Sequence, residues 1–405
     1  MKRKKLLRLT TADISLNSFL KGQLRFLNQY YDVVGVAADT GVLKSVGERE
    51  GIRTINVAMQ REISPIEDLK SLAALYKVFK QERPDILHAN TPKGSLLAMI
   101  AGWLARIPCR VYTVTGLRYQ GATGVMRFVL KTMERITCLL ATHIIPEGNG
   151  VLHILQEDHI TRKPLRVLHH GNINGKNTAE LSKEQTIADM LQKAKADVTP
   201  EEIYQTRNKF RHDLGLKDNE FVFIFIGRIV KDKGIVELAQ CLQKLKAENK
   251  QFRLLLVGSI ETGDAIPTNV KNFFLQSECV KYVGKQTDIR PYLLAADALV
   301  FPSYREGFPN VPLEAGCMDL PSIVTNINGC NEIIKDGLNG TIIAAHNVKH
   351  PTDEMEQALC IAMRKYIEQP ENVKRMAKNA RQMVKDRFEQ HDVWNALLHY
   401  YNEIV

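Results

Sequence analysis

The sequence has 405 residues, of which 44% are hydrophobic and 25% are charged. These values are typical of globular proteins, exclude a disordered or collagen-like chain, and leave room for two domains. The seven scattered cysteines include no C-x-x-C pair, so they indicate neither a zinc site nor a disulfide framework. We expect them to be small buried side chains in a reducing compartment.

The sequence shows neither a membrane span nor a secretion signal. Its longest charge-free apolar run is 94–105, whereas a spanning helix needs about 20 residues. The basic start MKRKK resembles a signal peptide, but Arg8 and Asp13 interrupt the apolar residues after it, and no small-residue cleavage site is present. We therefore expect a mature cytoplasmic protein.

The net charge of +10 lies in the first half of the chain. Residues 1–180 carry 26 Lys and Arg against 15 Asp and Glu, whereas the rest carry 29 against 30. Such an excess favours nucleic acid, or else an anionic membrane surface and phosphate-bearing substrates. Because no nucleic-acid-binding motif is present, and no basic tract is interleaved with aromatics, we expect no nucleic-acid partner.

Short apolar runs alternate with helical patterns along the whole chain, which predicts parallel sheets with helices on both faces. Helix-length segments include Pro65–Glu82 and Lys93–Arg106. The predicted strands of the first half are Lys5–Thr10, Asp32–Ala38, Arg53–Val57, Asp85–Ala89, Arg110–Thr115, His143–Pro146 and Leu165–His169. Those of the second half are Phe221–Ile226, Arg253–Val257, Val280–Val283, Ala298–Phe301, Ser322–Thr325 and Thr341–Ala344.

The repeated pattern predicts two doubly wound, Rossmann-like domains facing each other across a cleft. We assign residues 1–180 to the first domain and 216–389 to the second, and expect the last helix, about 390–405, to pack back on the first. The least apolar stretch, 181–215, is predicted to be a linker with a helical insertion. Since ligands of such sheets bind at the carboxyl ends of the strands, the active site is expected in the cleft.

Two common uses of this architecture are not supported. No G-x-G-x-x-G follows the first strand, where we predict a loop over Thr10–Ser15, and no phosphate-binding P-loop occurs. A nicotinamide dehydrogenase or a P-loop hydrolase is therefore not expected.

Arg127, Lys131 and Arg135 recur every four residues and share one face of a predicted helix. Two interpretations are open. The face is either a solvated surface over a core helix or a basic stripe beside an anionic membrane.

The first motif with side chains suited to ligand binding is Gly227–Gly234. It follows a buried strand and precedes a predicted helix that begins at Ile235. Arg228 and Lys233 then stand at a strand's carboxyl end, and two cations beside a helix N-terminus suit a diphosphate. The alternative is an ordinary surface turn.

The second motif follows strand Ala298–Phe301. Glu306 and Glu314 are separated by seven residues, Asn310 is a suitable helix cap, and Pro312 fits the first turn. Carboxylates hold hydroxyls well and phosphate poorly, so the two motifs together predict a nucleotide-sugar site.

Residues 221–343 resemble the carboxyl domain of the retaining glycosyltransferases of family 4, which have the GT-B fold. The resemblance implies that Arg228 and Lys233 hold the donor diphosphate, and that Glu306 acts with them in catalysis. Glu306 and the backbone amides of Gly307–Asn310 would contact the sugar and the phosphate. Glu314 would bind the ribose, and the turn Gly284–Asp288 would contact the nucleobase. The implied donor-binding residues are Gly227, Arg228, Lys233, Gln286, Glu306, Gly307, Phe308, Pro309, Asn310, Val311 and Glu314.

The amino half resembles the branch of this family that builds capsule, exopolysaccharide and O-antigen chains, through 87–93, 113–118 and 171–175. The implied acceptor-side residues are Ser15, His88, Lys93, Thr115 and Arg118. The glycine pair common in the family's first loop is absent, and Thr115 stands where many members have histidine. His88 either faces the cleft or is a structural histidine.

The resemblance implies a retaining hexosyltransferase that moves a sugar from a nucleotide-sugar, with UDP as the nucleotide, to a polyprenyl-diphosphate-linked glycan. No D-x-D occurs, so neither a metal nor another cofactor is expected. The expected location is the cytoplasm or the inner face of the cytoplasmic membrane. The alternatives are a nucleotide-sugar epimerase of the same fold and a non-catalytic nucleotide-sugar-binding subunit.

Overall fold

The computed structural model describes residues 3–60, 62–345 and 353–405, with the backbone alone at residue 353. The chain divides into two compact units. One contains the residues up to Gly175 together with Gln390–Val405, and the other contains Lys176–Glu389. Within the described ranges, no helix is long and apolar enough to cross a bilayer.

The first unit is built on a parallel sheet, which has the order β3-β2-β1-β4-β5-β6 among the described residues. Alternate side chains of β1 point to opposite faces. Leu7 and Leu9 therefore join one buried cluster and Leu6 joins another. The strands are β1 (Lys5–Ala12), β2 (Asp32–Ala38), β3 (Arg53–Asn56), β4 (Ile86–Ala89), β5 (Cys109–Val114) and β6 (His143–Pro146).

Helices cover this sheet, and a 3₁₀ turn at Arg118–Gly121 connects β5 to the sixth helix. Pro65 and Pro92 occupy the first turns of the fourth and fifth helices, where a missing N–H is tolerated. The helices are α1 (Asp13–Phe19), α2 (Gln23–Leu27), α3 (Leu43–Glu50), α4 (Pro65–Glu82), α5 (Pro92–Leu104), α6 (Gly124–Leu140) and α7 (Asn149–Glu157).

The second unit repeats this topology, with the order β12-β11-β10-β7-β8-β9 in the part of the chain that is described. Phe223 and Phe225 of β7 pack on one side of the sheet and Val222 and Ile224 on the other, as its continuous apolar sequence predicts. The strands are β7 (Phe221–Ile226), β8 (Phe252–Val257), β9 (Val280–Gly284), β10 (Ala298–Phe301), β11 (Ser322–Thr325) and β12 (Gly340–Ile343).

The helices of the second unit lie on both sides of its sheet. They are α8 (Lys183–Leu191), α9 (Pro200–Asp213), α10 (Ile235–Ala247), α11 (Thr268–Gln276), α12 (Arg290–Ala295), α13 (Asn310–Cys317), α14 (Cys330–Ile333), α15 (Asp353–Glu368) and α16 (Pro370–Phe388). The chain then returns to the first unit, where α17 (Gln390–Ile404) buries Val393, Leu397, Tyr400 and Tyr401.

The segment that we predicted as a linker with a helical insertion, 181–215, belongs to the second unit and forms α8 and α9 there. Thr199 and Glu202 form a reciprocal capping box at the start of α9. Farther along α9, Arg207 pairs with Asp297 at 2.6 Å, and the buried Arg211 donates to the Glu220 carbonyl at 2.7 Å. Ion pairs and hydrogen bonds thus attach this polar segment to the second unit, together with apolar side chains such as the buried Ile187.

Two local predictions for the first unit are wrong. Leu165–His169 is not a strand, because only Leu165 forms a bridge, with Ile144 of β6. Thr10–Ser15 is not a loop either, since β1 continues to Ala12 and α1 begins at Asp13. The expectation of buried cysteines is confirmed, because all seven are buried thiols outside any disulfide.

Candidate active site

The two motifs predicted to bind the donor follow neighbouring strands. In the second sheet β7 pairs with β10, and this is where the strand order reverses. Gly227 follows β7 and Pro302 follows β10, so both motifs begin at the carboxyl ends of the strands flanking the reversal. This is the position at which open α/β sheets bind their ligands. Sequence reasoning placed each motif at a strand end, and the topology makes the two strands adjacent.

Gly234 allows the two loops to approach each other. It has φ +67°, and a Cβ built on it would lie 2.0 Å from the carbonyl oxygen of Pro302. Any other residue would have to displace that backbone. The close approach brings Lys233 against the loop after β10, and the backbone N–H of Tyr304 donates to the Asp232 carbonyl at 3.0 Å.

Lys233 and Glu306 form an ion pair, in which Nζ of Lys233 contacts Oε1 of Glu306. The Lys233 side chain is 11% exposed and that of Glu306 is 17% exposed, so water screens the pair only partly. The Ser303 hydroxyl donates to Oε1 of Glu306 at 2.9 Å and lies 3.5 Å from Nζ of Lys233. Ser303 was not predicted as a site residue, although its position between the β10 end and Glu306 makes it a candidate.

Arg228 and Glu314 have partners outside this cluster. The Arg228 side chain is 57% exposed and pairs at 3.3 Å with Glu261, which follows the carboxyl end of β8. Glu314 pairs at 2.6 Å with Lys176. The structure therefore brings Lys233 and Glu306 into contact and gives Arg228 and Glu314 separate partners. Glu261 and Lys176 were not predicted, but the strand-end rule that selected Arg228 applies equally to Glu261.

The loop from Gly307 to Pro309 leads into α13, and the predicted helix cap is wrong. The helix begins at Asn310, so Pro309 occupies the cap position and no side chain caps the helix there. Glu314 lies one turn inside the helix, as expected, after the half-buried Val311. The loop packs on the core of this unit, because Phe308 is buried and its ring centroid lies 5.5 Å from that of Phe388.

Gly329 supports the same loop. It has φ +71°, and a Cβ there would lie 2.7 Å from Cα of Phe308 and 2.9 Å from the Gly307 carbonyl oxygen. The absence of a side chain lets the start of α14 lie directly against the loop Gly307–Pro309.

Along the same sheet, the turn after β9 carries Gln286, whose side-chain amide donates to the Val283 carbonyl at 2.7 Å.

Two potential nucleophiles close to the donor loop are protonated at neutral pH. Burial and then the charge of Glu306 raise the pKa of the Cys330 thiol well above its usual value. Burial and a hydrogen bond to Glu237 raise the pKa of the Tyr304 hydroxyl, which donates to that carboxylate at 2.7 Å. Within the described ranges, no group of three or more His, Cys, Asp or Glu side chains could hold a metal ion.

In the first unit, both ring nitrogens of His88 are occupied. His88 lies beside Arg8 in the β1–β4 register and is 1% exposed. Arg8 donates to Nδ1, which also lies 2.5 Å from the Tyr401 hydroxyl, and Nε2 lies 2.7 Å from the Thr113 hydroxyl. Burial, followed by the Arg8 charge, holds the pKa of His88 well below its ordinary value. His88 is thus a neutral, hydrogen-bonded core residue. Arg8 and Tyr401 were not predicted as its partners.

The other predicted acceptor-side residues lie close to the ends of β1, β4 and β5. Ser15 is half-buried in the first turn of α1, and the Thr115 hydroxyl donates to the Asn90 carbonyl at 2.8 Å. Lys93 is buried and pairs with Asp68 at 2.5 Å, whereas Arg118 is exposed. Lys93 and Arg118 line one small cavity of about 20 Å³, together with Leu130, Met133 and Glu134 of α6.

The outer face of α6 is apolar. Val125 is 81% exposed, and Phe128 and Leu139 are each 69% exposed. Arg127 and Arg135 are exposed along one edge of this face, whereas Lys131, between them, pairs with Asp158 at 2.6 Å. The three basic residues share a helix, as predicted, but the helix presents mainly hydrophobic side chains to solvent.

Two family models match the chain. The model of the family described as "Glycosyl transferases group 1" matches residues 206–383, and the model described as "Glycosyl transferase 4-like" matches 9–145. The chain is 30% identical over 406 residues to the capsular polysaccharide biosynthesis glycosyltransferase CapM of Staphylococcus aureus. The match covers 100% of this chain and 98% of CapM. The chain is a glycosyltransferase of family 4.

Two further proteins are similar to this glycosyltransferase. The Escherichia coli UDP-Gal:alpha-D-GlcNAc-diphosphoundecaprenol alpha-1,3-galactosyltransferase is 28% identical over 326 residues, covering 79% of this chain and 78% of that enzyme. The crystal structure of Anabaena Alr3699/HepE in complex with UDP and glucose superposes with a TM-score of 0.75 at 19% identity. It covers 99% of this chain and 100% of that protein. The predicted GT-B fold is confirmed.

Proposed function

We propose that this glycosyltransferase transfers a hexose from a UDP-sugar to a hydroxyl of a polyprenyl-diphosphate-linked glycan, with retention of anomeric configuration and without a metal ion. The proposal that the enzyme uses a UDP-sugar donor rests on the Lys233–Ser303–Glu306 cluster, which lies where the strand order reverses between β7 and β10. It joins a cation suited to phosphate with a carboxylate suited to sugar hydroxyls. The sequence relatives support transfer, since CapM is named as a glycosyltransferase and the E. coli relative as a galactosyltransferase.

The residues at the donor site suggest how the bond to the leaving nucleotide breaks. Negative charge accumulates on the diphosphate in the transition state, and Lys233, Arg228 and the N-terminus of α13 can stabilise it. These groups supply the positive charge that a metal would otherwise bring. The departing phosphate takes the proton of the acceptor hydroxyl, which attacks from the same face and so retains the configuration.

Retention without an enzyme nucleophile agrees with the protonation states at the site. The Cys330 thiol and the Tyr304 hydroxyl are both held in their protonated forms. In the first unit, the His88 ring is buried with both nitrogens hydrogen-bonded, and its lowered pKa makes it a weak base, so we assign it no role as the general base. The leaving diphosphate is therefore the proposed base.

The acceptor assignment rests on the relatives and on the first unit. The E. coli relative is named for an acceptor with a diphosphoundecaprenol group. In this chain the exposed Arg118, on the 3₁₀ turn before α6, offers positive charge to such a diphosphate, and Lys93 lines the same small cavity. Because Lys93 is buried and Arg118 is exposed, we assign the larger share of this contact to Arg118.

A labelled-donor assay tests the reaction. The enzyme is incubated with UDP-glucose, UDP-galactose or their N-acetyl forms, with and without a synthetic polyprenyl-diphosphate monosaccharide, and each reaction is run in the presence and in the absence of EDTA. We expect a new α-linked disaccharide lipid, identified by the proton coupling at its anomeric carbon. A β-linkage refutes retention, and loss of product with EDTA refutes metal independence. A new nucleotide-sugar without acceptor indicates an epimerase, and an absence of turnover with every donor indicates a binding subunit.

Membrane association is part of the proposal, and α6 is its proposed site. Val125, Phe128 and Leu139 expose hydrophobic surface that a soluble helix normally buries, and Arg127 and Arg135 border it. An apolar face with a cationic edge suits the headgroup region of an anionic bilayer. A lipid-linked acceptor would then meet the enzyme at the same surface.

Vesicle sedimentation tests this surface. Replacing Arg127, Lys131 and Arg135 by Glu, or Phe128 and Leu139 by Ser, should abolish pelleting with phosphatidylglycerol vesicles. UDP binding to the second unit should stay within twofold of wild type. The single Lys131→Glu variant is the matched control, because Lys131 is paired with Asp158, and it should pellet more than the triple variant. Undiminished pelleting of both multiple variants would disprove the membrane proposal.

A further inference from the structure

The ion pair between Lys176 and Glu314 has a role that family resemblance does not assign. Nζ of Lys176 lies 2.6 Å from Oε1 of Glu314, and the two side chains are 14% and 20% exposed. Glu314 is the residue proposed to hold the donor ribose. The Lys176 ammonium therefore contacts one oxygen of that carboxylate, and Oε2 is the remaining oxygen available to a ligand.

The main chain holds Lys176 in place. Its backbone N–H donates to the Phe388 carbonyl at 2.8 Å, and it bridges to Glu389 in parallel. Phe388 also packs its ring on Phe308 of the donor loop. Two residues on, the Thr178 hydroxyl donates to the Glu389 carboxylate at 2.6 Å. Lys176 is thus attached to the segment that supports the loop leading to Glu314.

We propose that Lys176 is a positioning residue that determines the preference of the enzyme for ribonucleotide donors. By holding Oε1, Lys176 fixes the direction in which Oε2 accepts a hydrogen bond from a ribose hydroxyl. Without it the carboxylate can rotate about its terminal torsion, which is broad. This inference rests on the proposed role of Glu314.

Loss of Lys176 should change the ratio of the affinities for UDP and for its deoxy analogues. A hydrogen bond from a hydroxyl to a charged carboxylate is strong only in good geometry. A rotated Glu314 therefore loses discrimination between a ribose and a ribose lacking one hydroxyl, whereas the diphosphate contacts at Lys233 remain. A general weakening of the fold would lower the affinity for both nucleotides equally and leave their ratio unchanged.

The experiment is isothermal titration of the full chain with UDP, 2′-deoxy-UDP and 3′-deoxy-UDP. Wild type should prefer UDP over at least one deoxy analogue by about tenfold or more. Lys176→Met should reduce that ratio at least fivefold, and Lys176→Arg should retain most of it. Lys183→Met is the matched control, since it removes another lysine of this unit that pairs with Asp319 at 3.1 Å, and it should leave the ratio unchanged. Thermal unfolding of each variant verifies that it is folded.

The Glu314→Gln variant separates the two possible failures. If Glu314→Gln loses the ribose preference and Lys176→Met keeps it within twofold, the inference about Lys176 is overturned and the proposed donor site stands. If Glu314→Gln keeps the preference, or wild type has none, the ribose role of Glu314 is wrong and the inference fails with it. Loss of the preference in both variants supports the inference.

Discussion

Replacing Lys233 by Met removes the cation at the centre of the proposed donor site. In the proposed mechanism Lys233 stabilises charge that develops on the leaving diphosphate. By analogy with donors in oxyanion holes, its loss raises the barrier by about 2–4 kcal/mol. Because 1.36 kcal/mol corresponds to a factor of ten, kcat/KM should fall about 30-fold to 1000-fold. The assay is release of UDP from labelled donor at saturating acceptor.

The same substitution leaves Glu306 partly buried without its cation. Fully buried pairs cost about 3–5 kcal/mol when one partner is removed, and exposed pairs about 0–1 kcal/mol. With exposures of 11% and 17%, the Lys233–Glu306 pair lies between these limits, so we expect a loss of about 1–3 kcal/mol in the free energy of unfolding. Urea denaturation at 25 °C measures it.

A second substitution separates catalysis from stability. In Lys233→Met/Glu306→Gln no unpaired carboxylate remains, so most of the stability should return while activity stays low. Lys193→Met is the control, because Lys193 pairs with Glu202 away from both motifs, and it should change activity less than twofold. The proposed role is refuted if folded Lys233→Met loses less than fivefold in kcat/KM, or if the double variant recovers activity together with stability.

Three further predictions concern single residues. Gly234→Ala should lower the free energy of unfolding by about 2–5 kcal/mol, through its positive φ and the clash with backbone. Gly337→Ala, at φ +71° with open space around it, should cost only about 1–2 kcal/mol, and equal losses in urea denaturation would contradict the clash. Arg228→Gln should lower kcat/KM at least tenfold yet change stability by about 1 kcal/mol or less, because its pair with Glu261 is exposed. An unchanged kcat/KM would show that Arg228 does not act at the proposed donor site. Burial raises the pKa of Glu134 from 4.5 to about 7, so the folded state binds this proton more tightly than the unfolded state does. Stability should therefore fall by about 1–3 kcal/mol between pH 4.5 and 7. Glu134→Gln should flatten that profile in urea titrations, and an unchanged slope would contradict the assignment.

The sequence by itself was enough to determine most of the fold. Strands such as Phe221–Ile226 and helices such as Pro65–Glu82 were predicted with the bounds observed, because apolar periodicity and proline positions act locally. Leu165–His169 has the composition of a strand, but only Leu165 finds a bridging partner in the sheet. Whether an apolar run becomes a strand depends on a neighbour that the run does not encode.

The sequence also determined the residue types of the proposed donor site. Arg228, Lys233, Glu306 and Glu314 stand directly after predicted strands or at a helix start, which placed them at the ligand-binding edge. The spacing of a motif defines its local geometry and leaves open which distant residue each side chain contacts.

Only the tertiary structure decided those contacts. Glu306 meets Lys233 because β7 and β10 pair and Gly234 allows their loops to touch, across 73 residues of sequence. Glu314 meets Lys176 across 138 residues, and no local pattern connects the two. On α6, the sequence revealed the basic spacing, but only packing decided that Glu134 is buried and Phe128 exposed. Periodicity marks the faces of a helix, and the neighbours that cover one of them determine which face is left to solvent.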